Sequence, residues 1–231
     1  MTLPLLLLPG MMCDARLFAP QVAAFGAERE VLLPGIGGHD SMAALAAAVL
    51  QGAPPRFALA GLSMGGILAM EVLRQAPDRV DRIALMDTNP RAETDEIRAR
   101  RAPQIEAARE GQYLDVVETQ MIPNYLAPGS ERPDITALCR EMARNLGASV
   151  FVNQSIALRD RPDQQDLLRA ARLPTLILCG RHDIPCPIER HERMQELMPH
   201  AIFTIVEDAG HLPVLERPRE INAALRRWLE N

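Results

Sequence analysis

The sequence has no excess of basic charge, which argues against a nucleic-acid partner. It carries 25 Lys and Arg residues against 30 Asp and Glu over 231 positions, for a formal net charge of −5 and a pI near 5.6. Such a balance provides no positive field for phosphate backbones. Arginines do cluster at Arg91, Arg98, Arg100 and Arg101, but acidic residues are interspersed with them, which favours a solvated helix face.

Features of a leader or a membrane segment are missing from the amino-terminal stretch. Residues 1–10 have no positively charged part, are too short to cross a bilayer and lack a small-residue cleavage pattern. We interpret the leucine run within them as a buried strand and expect no membrane insertion.

No C-x-x-C pair occurs among the four cysteines, which are Cys13, Cys139, Cys179 and Cys186. Cys179 lies inside an apolar run, where a reduced thiol packs as a small hydrophobic group. This cysteine usage predicts free thiols and a reducing, cytoplasmic setting.

Complete metal and nucleotide motifs are absent as well. The metal-ligand types that lie near one another in sequence are Cys179, His182 and Cys186. Their spacing fits no common zinc template, and His191-Glu192 is not completed to H-E-x-x-H because residue 195 is Gln. The stretch 35–38 lacks the third glycine of a dinucleotide fingerprint and has no P-loop lysine. We therefore expect no metal and no organic cofactor.

The chain does contain an alternation of short apolar runs and helical stretches. The runs are 5–8, 31–33, 57–60, 83–86, 175–179 and 202–206, and the predicted helices between or after them are 41–51, 64–75, 188–198 and 221–230. Continuous apolar runs suit parallel strands that are covered on both faces. The pattern predicts an α/β fold with a doubly wound, mostly parallel sheet of about six strands.

The stretch 91–172 breaks this alternation, because it shows only amphipathic helical patterns divided by prolines and glycines. We interpret it as a helical cap inserted between two parts of one core domain, 1–90 and 173–231. Its larger apolar side chains could close a pocket at the sheet edge, or could simply pack the insertion onto the sheet. The candidate pocket residues are Met12, Met121, Tyr125, Met142, Phe151 and Leu212.

The most informative pattern is the G-x-S-x-G pentapeptide at residues 61–65, which lies between an apolar run and a helical stretch. That context places Ser63 at a sharp strand-to-helix turn, where only very small residues fit beside a nucleophile. Because five-residue patterns also arise by chance, the assignment of Ser63 depends on which residues follow it in the sequence. Asp183 and His211 follow, each after a predicted strand, as expected where parallel strands gather catalytic groups at their carboxyl edge.

A serine hydroxyl is a weak nucleophile, so it needs a base and a third group that orients the base. His211 is the candidate base, and the other histidines are weaker candidates. Asp183 is the candidate acid, with Asp87 as its rival because Asp87 also follows a predicted strand. We favour Asp183 because residues 180–183 form a short, sharply turning loop directly before a predicted helix.

Acyl transfer also builds negative charge on the former carbonyl oxygen, which two backbone N–H groups can stabilise. Met64, the residue after the serine, supplies one donor at the amino end of its helix. We nominate Met11, in the sharp turn after the first strand, as the second.

With these residues in place, the chain resembles the α/β-hydrolase superfamily over nearly its full length. The matching pieces are the strand and loop at 5–12, the serine turn at 61–66, the acid loop at 180–183 and the turn at 210–211. The resemblance implies Ser63 as nucleophile, His211 as base and Asp183 as acid. It also implies Met11 and Met64 as oxyanion donors and a helical cap. The chain departs from the family by starting at the strand before the oxyanion loop, which predicts a sheet without the amino-terminal hairpin.

The pattern predicts a serine hydrolase that cleaves small, largely apolar carboxylic esters through an acyl-enzyme intermediate, as a monomer or homodimer. The serine turn is also similar to that of enol-lactonases and carbon–carbon bond hydrolases, so lactone, thioester or C–C bond hydrolysis stays open. A catalytically silent ligand-binding protein is the alternative from another class, since a fold does not fix a function.

Overall fold

Six parallel strands form one sheet in the computed structural model, which describes residues 2–230, in the order β2-β1-β3-β4-β5-β6. The strands are β1 (Leu5–Leu8), β2 (Val31–Leu32), β3 (Phe57–Leu62), β4 (Val80–Met86), β5 (Thr175–Gly180) and β6 (Ile202–Val206). The predicted fold class is confirmed. The strand order reverses between β1 and β3, and such a reversal opens a crevice at the carboxyl ends of the strands.

Helices cover both faces of this sheet. They are α1 (Ala19–Phe25), α2 (Met42–Gly52), α3 (Met64–Gln75), α4 (Asp95–Arg109), α5 (Tyr113–Val116), α6 (Pro133–Arg159), α7 (Gln165–Ala170), α8 (Ile188–Leu197), α9 (Pro213–Glu216) and α10 (Pro218–Glu230). Every residue of β3 and β5 is buried, which requires cover on both sides of the sheet. The helices pack in two groups, α2, α3, α7 and α8 in one and α1, α9 and α10 in the other.

Local sequence explains where these elements begin. The Ser41 hydroxyl accepts the N–H of Ala44 at 3.3 Å and caps α2, as predicted. Strand β4 starts three residues before the predicted run, because Asp81 and Arg82 at its half-exposed end interrupt the apolar pattern. Helix α10 starts at Pro218, where the missing N–H of proline removes no helical hydrogen bond.

Residues 91–172, called the helical segment below, contain α4 to α7 and no strand. Helix α6 bends at Gly147, whose φ of +83° interrupts the helical backbone. Helix α7 packs against α3 and α8, so the end of the segment returns to the layer beside the sheet. The domain boundaries at residues 90 and 173 stay a prediction.

Two further observations concern the lengths of the helices and the state of the cysteines. Among the helices of residues 2–230, none combines the length and apolar character that a bilayer crossing needs. All four cysteines are free and buried, whereas the sequence indicated an apolar position only for Cys179.

Candidate active site

Ser63 lies at a strained turn between β3 and α3. Its φ of +55° is in the left-handed region, which costs of order 1–3 kcal/mol for a residue other than glycine. The turn is held by the Ser63 N–H, which donates to Met86 O at 2.9 Å, and by the Thr88 hydroxyl, which donates to Ser63 O at 2.7 Å. A Cβ at Gly65 would overlap the carbonyl oxygen of Leu8, and one at Gly61 would overlap that of Gly65. The glycines around the serine are therefore required by close backbone approach.

The structure brings the serine, the histidine and the favoured aspartate into one hydrogen-bonded chain. His211 Nε2 lies 2.9 Å from the Ser63 hydroxyl, and His211 Nδ1 lies 2.8 Å from Asp183 Oδ1. His211 and Asp183 are each only 4% exposed. Because a carboxylate can only accept, Nδ1 carries the hydrogen and Nε2 is free to accept the serine proton.

The loop of His211 is anchored by residues that the sequence did not single out for this role. The His211 N–H donates to Tyr125 O at 2.7 Å, and the rings of the two residues pack with their centroids 5.6 Å apart. The buried carboxylate of Glu216 accepts the N–H groups of Gly210 and Ala127, each at 2.9 Å. Tyr125 and Ala127 belong to the helical segment, which therefore fixes the histidine loop.

The two nominated oxyanion donors, Met11 and Met64, line the same cavity as Ser63. Neither backbone N–H donates to an acceptor among residues 2–230. The adjacent Met12 has a φ of +55°, and its N–H donates to Gln154 Oε1 at 2.9 Å. Gln154, which is buried on α6, also donates to Ile36 O at 3.2 Å. Sequence could not reveal this support, because Gln154 is 142 residues from Met12.

We expect Gln154→Ala to lower both stability and turnover. The substitution leaves a buried Met12 N–H unpaired, which typically costs about 1–3 kcal/mol, and frees the loop that carries Met11. Thermal denaturation and ester kinetics measure the two effects. Asn153→Ala is the matched control, because that neighbouring amide donates to Gly37 O and does not touch the Met11 loop. If Gln154→Ala and Asn153→Ala lowered kcat equally, the assignment of Gln154 as the support of the Met11 loop would be wrong.

A cavity of about 480 Å³ opens beside Ser63, between the sheet edge and the helical segment. Four of the predicted pocket residues line it: Met121, Tyr125, Phe151 and Leu212. Met12 and Met142 do not. The Met12 side chain is directed into the core by the left-handed turn, and that of Met142 is fully buried with its sulfur accepting the Asp14 N–H.

The cavity wall has an unexpected excess of positive charge. The Asp, Glu, Lys and Arg residues that line it are Glu93, Arg100, Arg101, Arg161 and Arg190. Glu93 pairs with both Arg101 and Arg161, at 2.5 and 2.7 Å. Arg100 and Arg190 form no ion pair within residues 2–230. The sequence predicted a solvated helix face for the arginine cluster. Arg100 is exposed, in agreement with that interpretation, and also borders the cavity. The interpretation was incomplete for Arg101, which is partly buried and pairs with Glu93.

Asp87, the rival acid, does not contact His211. It follows β4, is fully buried and has a φ of +46°. Its Oδ1 accepts the N–H of Gly180 at 2.9 Å. Burial, followed by the nearby charge of Asp183, raises the pKa of Asp87 well above its usual range.

The same region contains a grouping of metal-ligand types, formed by Asp183, Cys186 and His211, whose ligand atoms lie within 4.8 Å of one another. Asp183 Oδ1 already accepts from His211 Nδ1 and from the Cys186 N–H, both at 2.8 Å. Burial also raises the pKa of the Cys186 thiol far above its ordinary value, which opposes a thiolate ligand. These groups fit a hydrogen-bonded set better than a metal site.

Comparison with known proteins identifies a matching family and several similar proteins. Residues 5–224 match the sequence model of the alpha/beta hydrolase family. The pimeloyl-[acyl-carrier protein] methyl ester esterase of Klebsiella pneumoniae is 26% identical, over 93% of this chain and 88% of its own length. The biotin biosynthesis bifunctional protein BioHC of Teredinibacter turnerae is 26% identical over 89% of this chain, which spans 40% of that protein. A thermophilic esterase structure from Thermogutta terrifontis superposes with a TM-score of 0.91 at 29% identity, covering 99% of this chain and 89% of that one.

Proposed function

Since the chain belongs to the alpha/beta hydrolase family, we propose that it hydrolyses small carboxylic esters through an acyl-enzyme formed on Ser63. The observation that carries this proposal is the pair of hydrogen bonds that joins Ser63, His211 and Asp183. The esterase names of the relatives point to the same reaction class. The helical segment acts as the cap that closes the cavity over the serine.

The reaction begins when the Ser63 hydroxyl oxygen attacks the ester carbonyl carbon and its proton passes to His211 Nε2. Asp183 stabilises the imidazolium that forms and holds the ring in place. The N–H groups of Met11 and Met64 donate to the oxyanion. His211 then gives its proton to the departing alkoxide, so that an alcohol leaves. A water molecule, deprotonated by the same imidazole, hydrolyses the acyl-enzyme and restores the serine.

A substrate panel and a covalent probe test this proposal. The panel contains p-nitrophenyl and methyl esters, lactones, thioesters and vinylogous diketones, and the probe is a fluorophosphonate. We expect ester cleavage to give the highest kcat/KM and the probe to label Ser63. An unlabelled protein would instead support a silent binding protein, and a higher kcat/KM for another bond type would replace the ester assignment.

The arginines of the cavity support a finer proposal, that the preferred ester carries a negative charge away from the cleaved bond. The cavity wall contains four arginines and only one carboxylate, that of Glu93, although the chain as a whole is acidic. Arg100 and Arg190 are the groups without an ion-pair partner, and a guanidinium binds a carboxylate or phosphate through charge-assisted hydrogen bonds.

Two substrates of equal shape measure this preference: mono-p-nitrophenyl adipate, with a terminal carboxylate, and its neutral terminal carboxamide. We expect kcat/KM to be at least about tenfold higher for the carboxylate, because one charge-assisted contact is worth about 1.4 kcal/mol or more. The ratio should fall toward one in the Arg100→Gln, Arg190→Gln double variant and stay unchanged in the control Arg144→Gln, which lies outside the cavity wall. A wild-type ratio of one or less would contradict the charge preference without affecting the ester assignment.

The cysteine thiols indicate the cellular compartment of the enzyme. Because all four cysteines are buried and unpaired, we place the enzyme in a reducing, cytoplasmic compartment. The substrate is a small molecule.

A further inference from the structure

Asp87 occupies a position that is unusual for a carboxyl group outside the proton-transfer chain. Its side chain is completely buried, and its backbone has the positive φ that costs a non-glycine residue free energy. Its N–H donates to Leu178 O at 2.9 Å, and its Oδ1 accepts the Gly180 N–H at the same distance. These two bonds tie the end of β4 to the end of β5, immediately before the loop that carries Asp183.

Asp87 and Asp183 are held on either side of Gly180, whose N–H donates to Asp87 Oδ1 at 2.9 Å and whose carbonyl oxygen accepts the Asp183 N–H at 3.3 Å. Asp183 Oδ1 is occupied by His211 and by the Cys186 N–H. The second oxygen of Asp183 and the second oxygen of Asp87 are both buried, and neither has a hydrogen-bond partner among residues 2–230. An ionised carboxylate can only accept a hydrogen bond, so two carboxyl groups can share one only when a proton lies between them.

The surroundings decide which of the two carries the proton. Asp183 receives two N–H donors on one oxygen, one of them from the ring that becomes cationic during the proposed reaction. Asp87 receives only one N–H. The ionisable groups around Asp87 are Asp183 and Glu216 and the thiols of Cys179 and Cys186, none of which is a cation. His191, whose Nε2 accepts the Thr88 N–H, stays neutral because burial lowers its pKa to about 4.

We propose that Asp87 is protonated at neutral pH and donates its O–H to Asp183 Oδ2, as a positioning residue for the proposed catalysis. The proposal rests on the proposed function. With this bond, Asp183 is held at both oxygens and cannot rotate away from the imidazole. The proton-transfer chain then has a fourth member, which never touches the substrate and keeps its own proton throughout the reaction.

Thermal stability tests the protonation state independently of any activity. Unfolded Asp87 loses its proton above about pH 4, whereas folded Asp87 keeps it, so the folded wild-type protein binds one proton more and loses stability as the pH rises. Asn at this position has no proton to retain. We therefore expect the Tm of Asp87→Asn relative to wild type to rise by about 3 °C for each pH unit between pH 5 and 7. The exposed control Asp40→Asn should show a constant difference. A constant difference for Asp87→Asn would overturn the proposal.

Kinetics test the positioning role. The Asn amide can still donate to Asp183 and accept from Gly180, whereas Leu, of similar size, can do neither. We expect Asp87→Leu to lower kcat by about 100-fold with little change in KM, because the misplaced base slows chemistry more than binding. Asp87→Asn should keep kcat within about threefold of the wild-type value. The pH at which kcat/KM falls to half its maximum on the acidic side, called the acidic limb below, should also stay at its wild-type value.

Two kinetic outcomes would overturn the proposal. If Asp87 were ionised, Asp87→Asn would remove a negative charge beside the imidazole and move the acidic limb down by about one pH unit. Wild-type kcat in Asp87→Leu would also contradict it. If Asp87→Leu does not fold, the acidic limb and the Tm difference measured for Asp87→Asn test the proposal on their own. If the wild-type protein cleaves no ester, the proposed function fails, and the Tm difference still tests the protonated Asp87.

Discussion

Ser63→Ala is expected to lower kcat/KM for p-nitrophenyl butyrate by about a million-fold, the loss typical when a catalytic serine is removed. Without the hydroxyl, no acyl-enzyme forms, and His211 has no proton to accept from the nucleophile. The fold should persist, because Ala tolerates the same positive φ no worse than Ser and the hydroxyl makes only the bond to His211. Initial rates and the unfolding transition measure the two effects.

The control for this variant is Ser149→Ala, since Ser149 is an exposed serine on α6 that does not line the cavity. It should retain wild-type turnover and labelling by the fluorophosphonate. Full activity in Ser63→Ala would refute the proposed mechanism outright.

Asp183→Asn is expected to lower kcat by about 10⁴-fold with little change in KM. The Asn amide can donate toward His211 Nδ1, which then takes the tautomer that carries its hydrogen on Nε2 and cannot accept the serine proton. The far smaller loss expected for Asp87→Asn makes the two variants a matched pair. Because His211 Nδ1 hydrogen-bonds to Asp183 and not to Asp87, the opposite order of effects would move the catalytic acid to the end of β4.

The sequence predicted the sheet well, because buried parallel strands appear as continuous apolar runs. Leu5–Leu8 and Ile202–Val206 form strands with the predicted bounds. The polar start of β4 was missed since Asp81 and Arg82 are half-exposed there. The meeting of Ser63, His211 and Asp183 was predictable from their order and their positions after strands.

The supports of the site were not predictable, because they depend on contacts between distant segments. Nothing near Gln154 in the sequence indicates that its amide reaches Met12, and Glu216 resembles any acidic residue at the end of a short helix. The charge of the cavity was hidden for a similar reason, since the interspersed acids on α4 suggested a solvated face. Asp87 and Asp183 were treated as rivals, whereas the structure bonds both of them to Gly180 and leaves the second oxygen of each buried and unpaired.

The anchors between the helical segment and the loops of Met11 and His211 limit the motions by which a substrate can reach Ser63. Gln154 holds the loop beside Met11, while Tyr125 and Ala127 hold the loops around His211. A swing of the whole segment away from the sheet would break these bonds and displace both the loop of His211, the proposed base, and the loop of Met11, a proposed oxyanion donor. We therefore expect substrate exchange to depend on side-chain motion in the cavity wall, with the bonds among Ser63, His211 and Asp183 kept between turnovers.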